Sequence, residues 1–78
     1  MANNSSVEVQ VMIGGSPAEG KMVTLKKQGG GEYGVSKTNR RGIAIFTNVP
    51  AKTDLVASWD NNKSQTFRAG ETGIINKK

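Results

Sequence analysis

The apolar residues of this chain recur with a period of two. Val7, Val9, Val11 and Ile13 alternate with Glu8, Gln10 and Met12. Successive side chains of a strand point to opposite faces, so this stretch predicts a strand with one buried face. Gly14-Gly15-Ser16-Pro17 ends it, because Pro17 has no amide to give a ladder. The rhythm continues. Strands are predicted over 21–27, with Val23 and Leu25 on one face, over 32–38, with Tyr33 and Val35 inward, and over 43–47. Three more follow over 54–59, over 64–69 around Phe67, and over 72–76, which carries Ile74 and Ile75. Between them stand Gln28-Gly29-Gly30-Gly31, Asn39-Arg40-Arg41-Gly42, Asn48-Val49-Pro50 and Asp60-Asn61-Asn62, rich in turn formers. No segment offers three turns of helical periodicity. Short strands with turns about every 8–12 residues read as a sandwich or small barrel. The expected fold class is all-β: a single antiparallel Greek-key β-sandwich of about seven strands. Residues 1–6 read as a polar arm, 7–76 as the sandwich and 77–78 as a basic tail.

Seventy-eight residues hold one domain with a thin core. Near this length a chain buries only about 60–65% of the surface its unfolded form exposes. There is no cysteine and no histidine. That removes disulfides, the commonest metal ligands and the usual general base. The six carboxylates, at Glu8, Glu19, Glu32, Asp54, Asp60 and Glu71, stand singly and form no motif. The chain is therefore expected not to be an enzyme, with no catalytic residue, no metal and no cofactor. The glycine run at 29–31 lacks the Lys-Ser/Thr that closes a phosphate-binding loop, so it reads as a hairpin connection. No continuous apolar stretch reaches the length of a secretory signal or a spanning helix. The expected location is a virion or a host cytoplasm, or the cell exterior for a piece of a larger secreted chain, with no membrane insertion.

Two segments carry a resemblance. The first is Gly15-Ser16-Pro17-Ala18-Glu19-Gly20-Lys21-Met22-Val23-Thr24-Leu25. The second runs from Thr38-Asn39-Arg40-Arg41-Gly42 through Phe46 to Val49-Pro50. Together they resemble the prealbumin-like β-sandwich domains, a group that includes carboxypeptidase regulatory-like domains, adhesin B-type repeats and the starch-binding-like fold. The likeness runs over about three quarters of the chain, from Val7 to Phe67. It implies a fold and says little about function. Asn39, Ala44 and Lys52 depart from the family pattern, which has Asp, a large apolar residue and glycine at those places. Adhesin repeats often carry an internal amide bond, for which Lys21, Lys26 and Asn76 are the conceivable partners.

The family register turns Ala44 and Phe46 inward, and Ile43 and Ile45 then face outward as a sticky surface. The alternatives are a one-residue shift or bulge that buries both isoleucines, or cover by the chain's own termini. Trp59 reads as a cap on the core, with a stacking platform for a sugar or nucleobase as the other reading. Lys26-Lys27 and Arg40-Arg41 form one basic edge if their hairpins lie side by side; otherwise they are solvated turns. The net charge of +5 suits an acidic partner surface. The expected function is a non-catalytic structural or interaction module, in a bacteriophage capsid or tail or another assembly. The expected partner is protein, as a homo-oligomer or a larger viral assembly. A carbohydrate-binding module, a nucleic-acid-binding protein and an isolated adhesin-type domain are the alternatives.

Overall fold

The structure, a computed structural model, describes residues 4–50 and 52–78, with the backbone alone for Asn4 and Ser5. Nine strands are present among them: β1 (Asn4–Ile13), β2 (Ser16–Pro17), β3 (Met22–Lys27), β4 (Glu32–Lys37), β5 (Ile43–Pro50), β6 (Asp54–Trp59), β7 (Asn62–Lys63), β8 (Phe67–Arg68) and β9 (Thr72–Lys77). They form two sheets. In the first, β1 is central: Val9 pairs with Ala44 of β5 on one side and Gly73 of β9 on the other. The short β2 continues the β5 side at Met12 and Ile13. In the second sheet the order is β4-β3-β6, and β7 and β8 both pair along the far edge of β6.

The alternating pattern builds the core between the sheets. Val7, Val9, Val11, Ala44, Phe46 and Ile75 come from the first sheet, and Val23, Leu25, Leu55, Ala57 and Phe67 from the second. Leu25 is wholly buried and Phe46 nearly so, on opposite sheets. Two buried polar groups tie the connections together. The Thr38 hydroxyl accepts the Lys21 amide at 2.9 Å and donates to the Ala18 carbonyl at 2.6 Å. This pins the 18–21 turn to the end of β4. At the next turn, Gly42 has φ +74, and a Cβ there would lie 2.8 Å from both the Ala18 nitrogen and the Val11 carbonyl oxygen.

Four sequence expectations change. First, β4 presents Tyr33 and Val35 outward, 37% and 50% exposed, because Leu25 pairs with Gly34 and Val23 with Ser36. Paired residues share a face, so the inward sites of β4 fall to a glycine and a serine. Second, the strand expected over 64–69 is broken. The Ser64 hydroxyl accepts the Ala57 amide at 2.9 Å and donates to the Gln65 carbonyl, so a side chain replaces a main-chain rung and β7 and β8 separate. Third, strand extends into segments expected as arm, tail and turns: β1 begins at Asn4, β9 runs to Lys77, and Ser16-Pro17 and Asn48-Val49-Pro50 belong to β2 and β5; residues 1–3 of that arm lie outside the described part. Fourth, β9 lies parallel to β1, one parallel pair in an otherwise antiparallel sandwich. Lys52, where the family pattern has glycine, keeps a glycine-like φ of +61.

Candidate functional site

The break after β7 has a consequence at the sandwich edge. The 63–67 segment leaves β6, and across from it β9 pairs only with β1. Between them lies a cleft of about 560 Å³. Its floor is Phe67 and Gly73. A Cβ on Gly73 would come within 2.4 Å of the Phe67 ring, so the absence of a side chain there lets the ring lie against the β9 backbone and join the two sheets. The rim carries Lys63, Gln65, Glu71 and Asn76, a cation, an anion and two amides. Glu71 is held in place, since its Oε1 accepts the Arg68 amide at 2.9 Å. The Arg68 guanidinium meets Asp54 at 3.6 Å on the exposed surface. Among the described residues, Glu71 is the one carboxylate that lines the cleft. Neither composition nor motif pointed to these residues. The cleft arises where two strand edges diverge, and no local pattern records that.

The outer face of the first sheet collects apolar side chains. Ala44 and Phe46 are buried, and Ile45 faces out with 47% exposure, while Ile43 is half-buried. Register extends the patch. Gln10 of β1 lies between Ile43 of β5 and Ile74 of β9, and Ile74 is 54% exposed. Met12, two residues along β1, is half-buried on the same face. Ile74 belongs to this surface, and the sequence reading left it unassigned within the last strand.

Trp59 packs against the core at the end of β6, as a cap. The Lys21 and Lys77 ammonium groups each lie 5.5 Å from its ring centroid, and Lys77 also meets Asp60 at 3.8 Å. Cations therefore occupy the ring that a sugar or base would need. Lys26-Lys27 and Arg40-Arg41 do not share an edge. Lys26 pairs with Glu32 at the start of β4, whereas Arg40 and Arg41 follow Lys37 at its end. Five strand steps of about 3.3 Å, roughly 17 Å, lie between those ends of β4. The two basic pairs fall at opposite ends of the sandwich. Lys26 and Asn76 are exposed and Lys21 lies over Trp59, so these three do not assemble a buried amide-bond site.

No family model matches the chain, and no curated protein matches it. Among solved structures the chain is similar to the 5-hydroxyisourate hydrolase of Klebsiella pneumoniae. The TM-score is 0.62 with 20% identity, over 95% of this chain and 91% of that one. This finding corrects the expected function. A solved protein with this architecture is a hydrolase, and nothing among the comparisons supports a virion component. The expectation of a non-catalytic assembly module rested on missing residue types and on fold analogy, and a fold shared by many functions carries neither. At this identity the likeness speaks for fold. No helix among the described residues is long and apolar enough to cross a membrane. The chain has a prealbumin-like, all-β sandwich fold.

Proposed function

We propose that this chain is a homo-oligomeric protein that takes a small polar molecule in the cleft between the 63–67 segment and β9. The observation that carries the reading is the cleft itself. Its 560 Å³ falls within the roughly 300–1,000 Å³ of small-molecule sites. An apolar floor of Phe67 and Gly73 lies under Lys63, Glu71, Gln65 and Asn76, a set that both donates and accepts hydrogen bonds. Such a rim suits a compact heterocycle bearing carbonyl and N–H groups. The similarity to a hydrolase favours a second reading of the same cleft, in which the bound molecule is hydrolysed. With no histidine in the chain, Glu71 would take the proton of a water that adds to a ring carbonyl, Lys63 would steady the oxyanion, and Glu71 would return the proton to the ring nitrogen as the C–N bond breaks. Incubation with 5-hydroxyisourate tests both. Saturable binding without turnover, weakened at least about tenfold in Glu71→Gln, supports the first reading. Decay of the compound faster than in buffer, lost in Glu71→Gln, supports the second. Neither binding nor turnover at millimolar ligand overturns the cleft as a site for this class of molecule.

The oligomer would form through the outer face of the first sheet. Ile45 and Ile74 are each about half exposed, so covering both contributes about 1.5–3 kcal/mol, half of the full-burial figure. Ile43 and Met12 add to the same surface, and the free edge of a sheet can add main-chain pairing. Light scattering should find the parent larger than a monomer and the Ile45→Lys, Ile74→Lys variant a folded monomer. A parent that scatters as a monomer at every concentration tested removes the homo-oligomer from this reading.

A further inference from the structure

We infer that the end of the sandwich around Trp59 is a docking surface for an acidic protein segment. Tertiary structure gathers charge there that the sequence disperses. Lys21 precedes β3, Lys37 ends β4, Arg40 and Arg41 follow it, and Lys77 and Lys78 close the chain beside Ile13 of β1. These are six of the eleven cations, met by two carboxylates, Glu19 and Asp60, so this end holds +4 of the net +5. The rest of the molecule has five cations and four carboxylates and is nearly neutral. The clustered charge sets up a field that steers an anion to one end rather than to the whole surface.

The chemistry of this end suits carboxylates. The 39–43 loop is fixed before any ligand arrives. The Asn39 side-chain oxygen accepts the amides of Arg41 and Ile43 at 2.9 and 3.2 Å, and the Gly42 amide bonds the Asn39 carbonyl. Arg40 and Arg41 are exposed on that loop, and among the described residues no carboxylate lies within 4.0 Å of either guanidinium. Their planar forks match carboxylates in pairs, which lysines do not. Trp59 already has two ammonium groups at its ring, so the end lacks the free aromatic face on which single-stranded nucleic acid stacks. The cation sites come from separate segments spread over a cross-section of 23 × 17 Å. An extended segment of about five to seven residues, at about 3.3 Å each, spans those distances. The surface adjoins the cleft, since Lys63 of the cleft pairs with Ser58 beside Trp59, but none of the six cations lines the cleft.

The test uses the whole chain and a fluorescently labelled glutamate decapeptide, read by anisotropy at low and physiological salt. The parent should bind, with affinity falling as salt screens the charges. Arg40→Glu with Arg41→Glu should weaken binding at least about tenfold. Lys26→Glu with Lys27→Glu makes the same change in net charge at the opposite end and should weaken it less than about threefold. Lys37→Glu with Lys78→Glu, outside the 39–43 loop, should follow the first pair, which guards against a loop that has merely rearranged; circular dichroism checks folding of all three. Equal losses from the Arg40/Arg41 and Lys26/Lys27 pairs would overturn the inference, because net charge alone would then explain binding. So would a parent that ignores the peptide, or one that holds an oligothymidylate of equal charge more tightly.

Discussion

Gly42→Ala should lower the melting temperature by more than about 10 °C. Two costs meet at this residue. Its φ of +74 lies in the left-handed region, which costs a side chain about 1–2 kcal/mol. A Cβ would also sit 2.8 Å from main-chain atoms of Ala18 and Val11, and overpacking against atoms that cannot rotate away costs about 1–3 kcal/mol. The sum, about 2–5 kcal/mol, is a large share of the stability of so small a domain, and each kcal/mol moves the midpoint by about 4–8 °C. Gly20→Ala separates the two costs. Its φ is +79 but no atom lies within 4 Å of the Cβ position, so it should lose only the conformational part. If thermal melts give the two variants equal losses, β5 does not approach the 17–18 segment as closely as described. The consequence reaches function, because Gly42 ends the loop that presents Arg40 and Arg41.

Leu25→Ala should cost about 2–5 kcal/mol in a denaturant titration, and Phe46→Ala about 3–5 kcal/mol. Leu25 is 0% and Phe46 6% exposed, on facing sheets, so each truncation leaves a cavity that a rigid two-layer stack closes poorly. Val35→Ala is the informative comparison. An alternating pattern read from Tyr33 would bury Val35 and assign it a similar cost. With half its surface in water it should change stability by less than about 0.5 kcal/mol. A Val35→Ala loss near that of Leu25→Ala would mean that β4 pairs with β3 one residue out of register. A Leu25→Ala loss below about 0.5 kcal/mol would mean that β3 faces the wrong way.

The contrast between these strands marks where local reading works. In β1, β3 and β5 the buried residues among those described are all apolar, and Val9, Leu25 and Phe46 are where alternation and the family register put them. In β4 the buried face holds Gly34 and Ser36, and the larger apolar residues stand on the wet side. The pattern there points the wrong way. Register is set by the hairpin with β3, including a shift between Leu25 and Lys26, and a shift of one residue flips every side chain. The Ser64 side-chain rung is likewise invisible to periodicity, because the sequence shows a serine and not the amide it meets.

The fold class, most of the turns and the faces of the well-patterned strands are legible in the sequence alone, and those features depend on residues within a few positions of one another. The 48–50 turn that the sequence suggests is instead the end of β5, and the outward side of Ile45 is one of several readings it leaves open. Tertiary structure decided the rest. It opened a cleft between 63–67 and β9, set Ile74 beside Gln10 and Ile43, split the two basic pairs to opposite ends, and brought Lys21 and Lys77 to the ring of Trp59. Each of those outcomes joins segments far apart in the chain, through the pairing of β9 with β1 and the stacking of two sheets. Charge and polarity in a sequence have no direction until strand order and register give them one, so the surfaces proposed to bind exist only in the folded molecule.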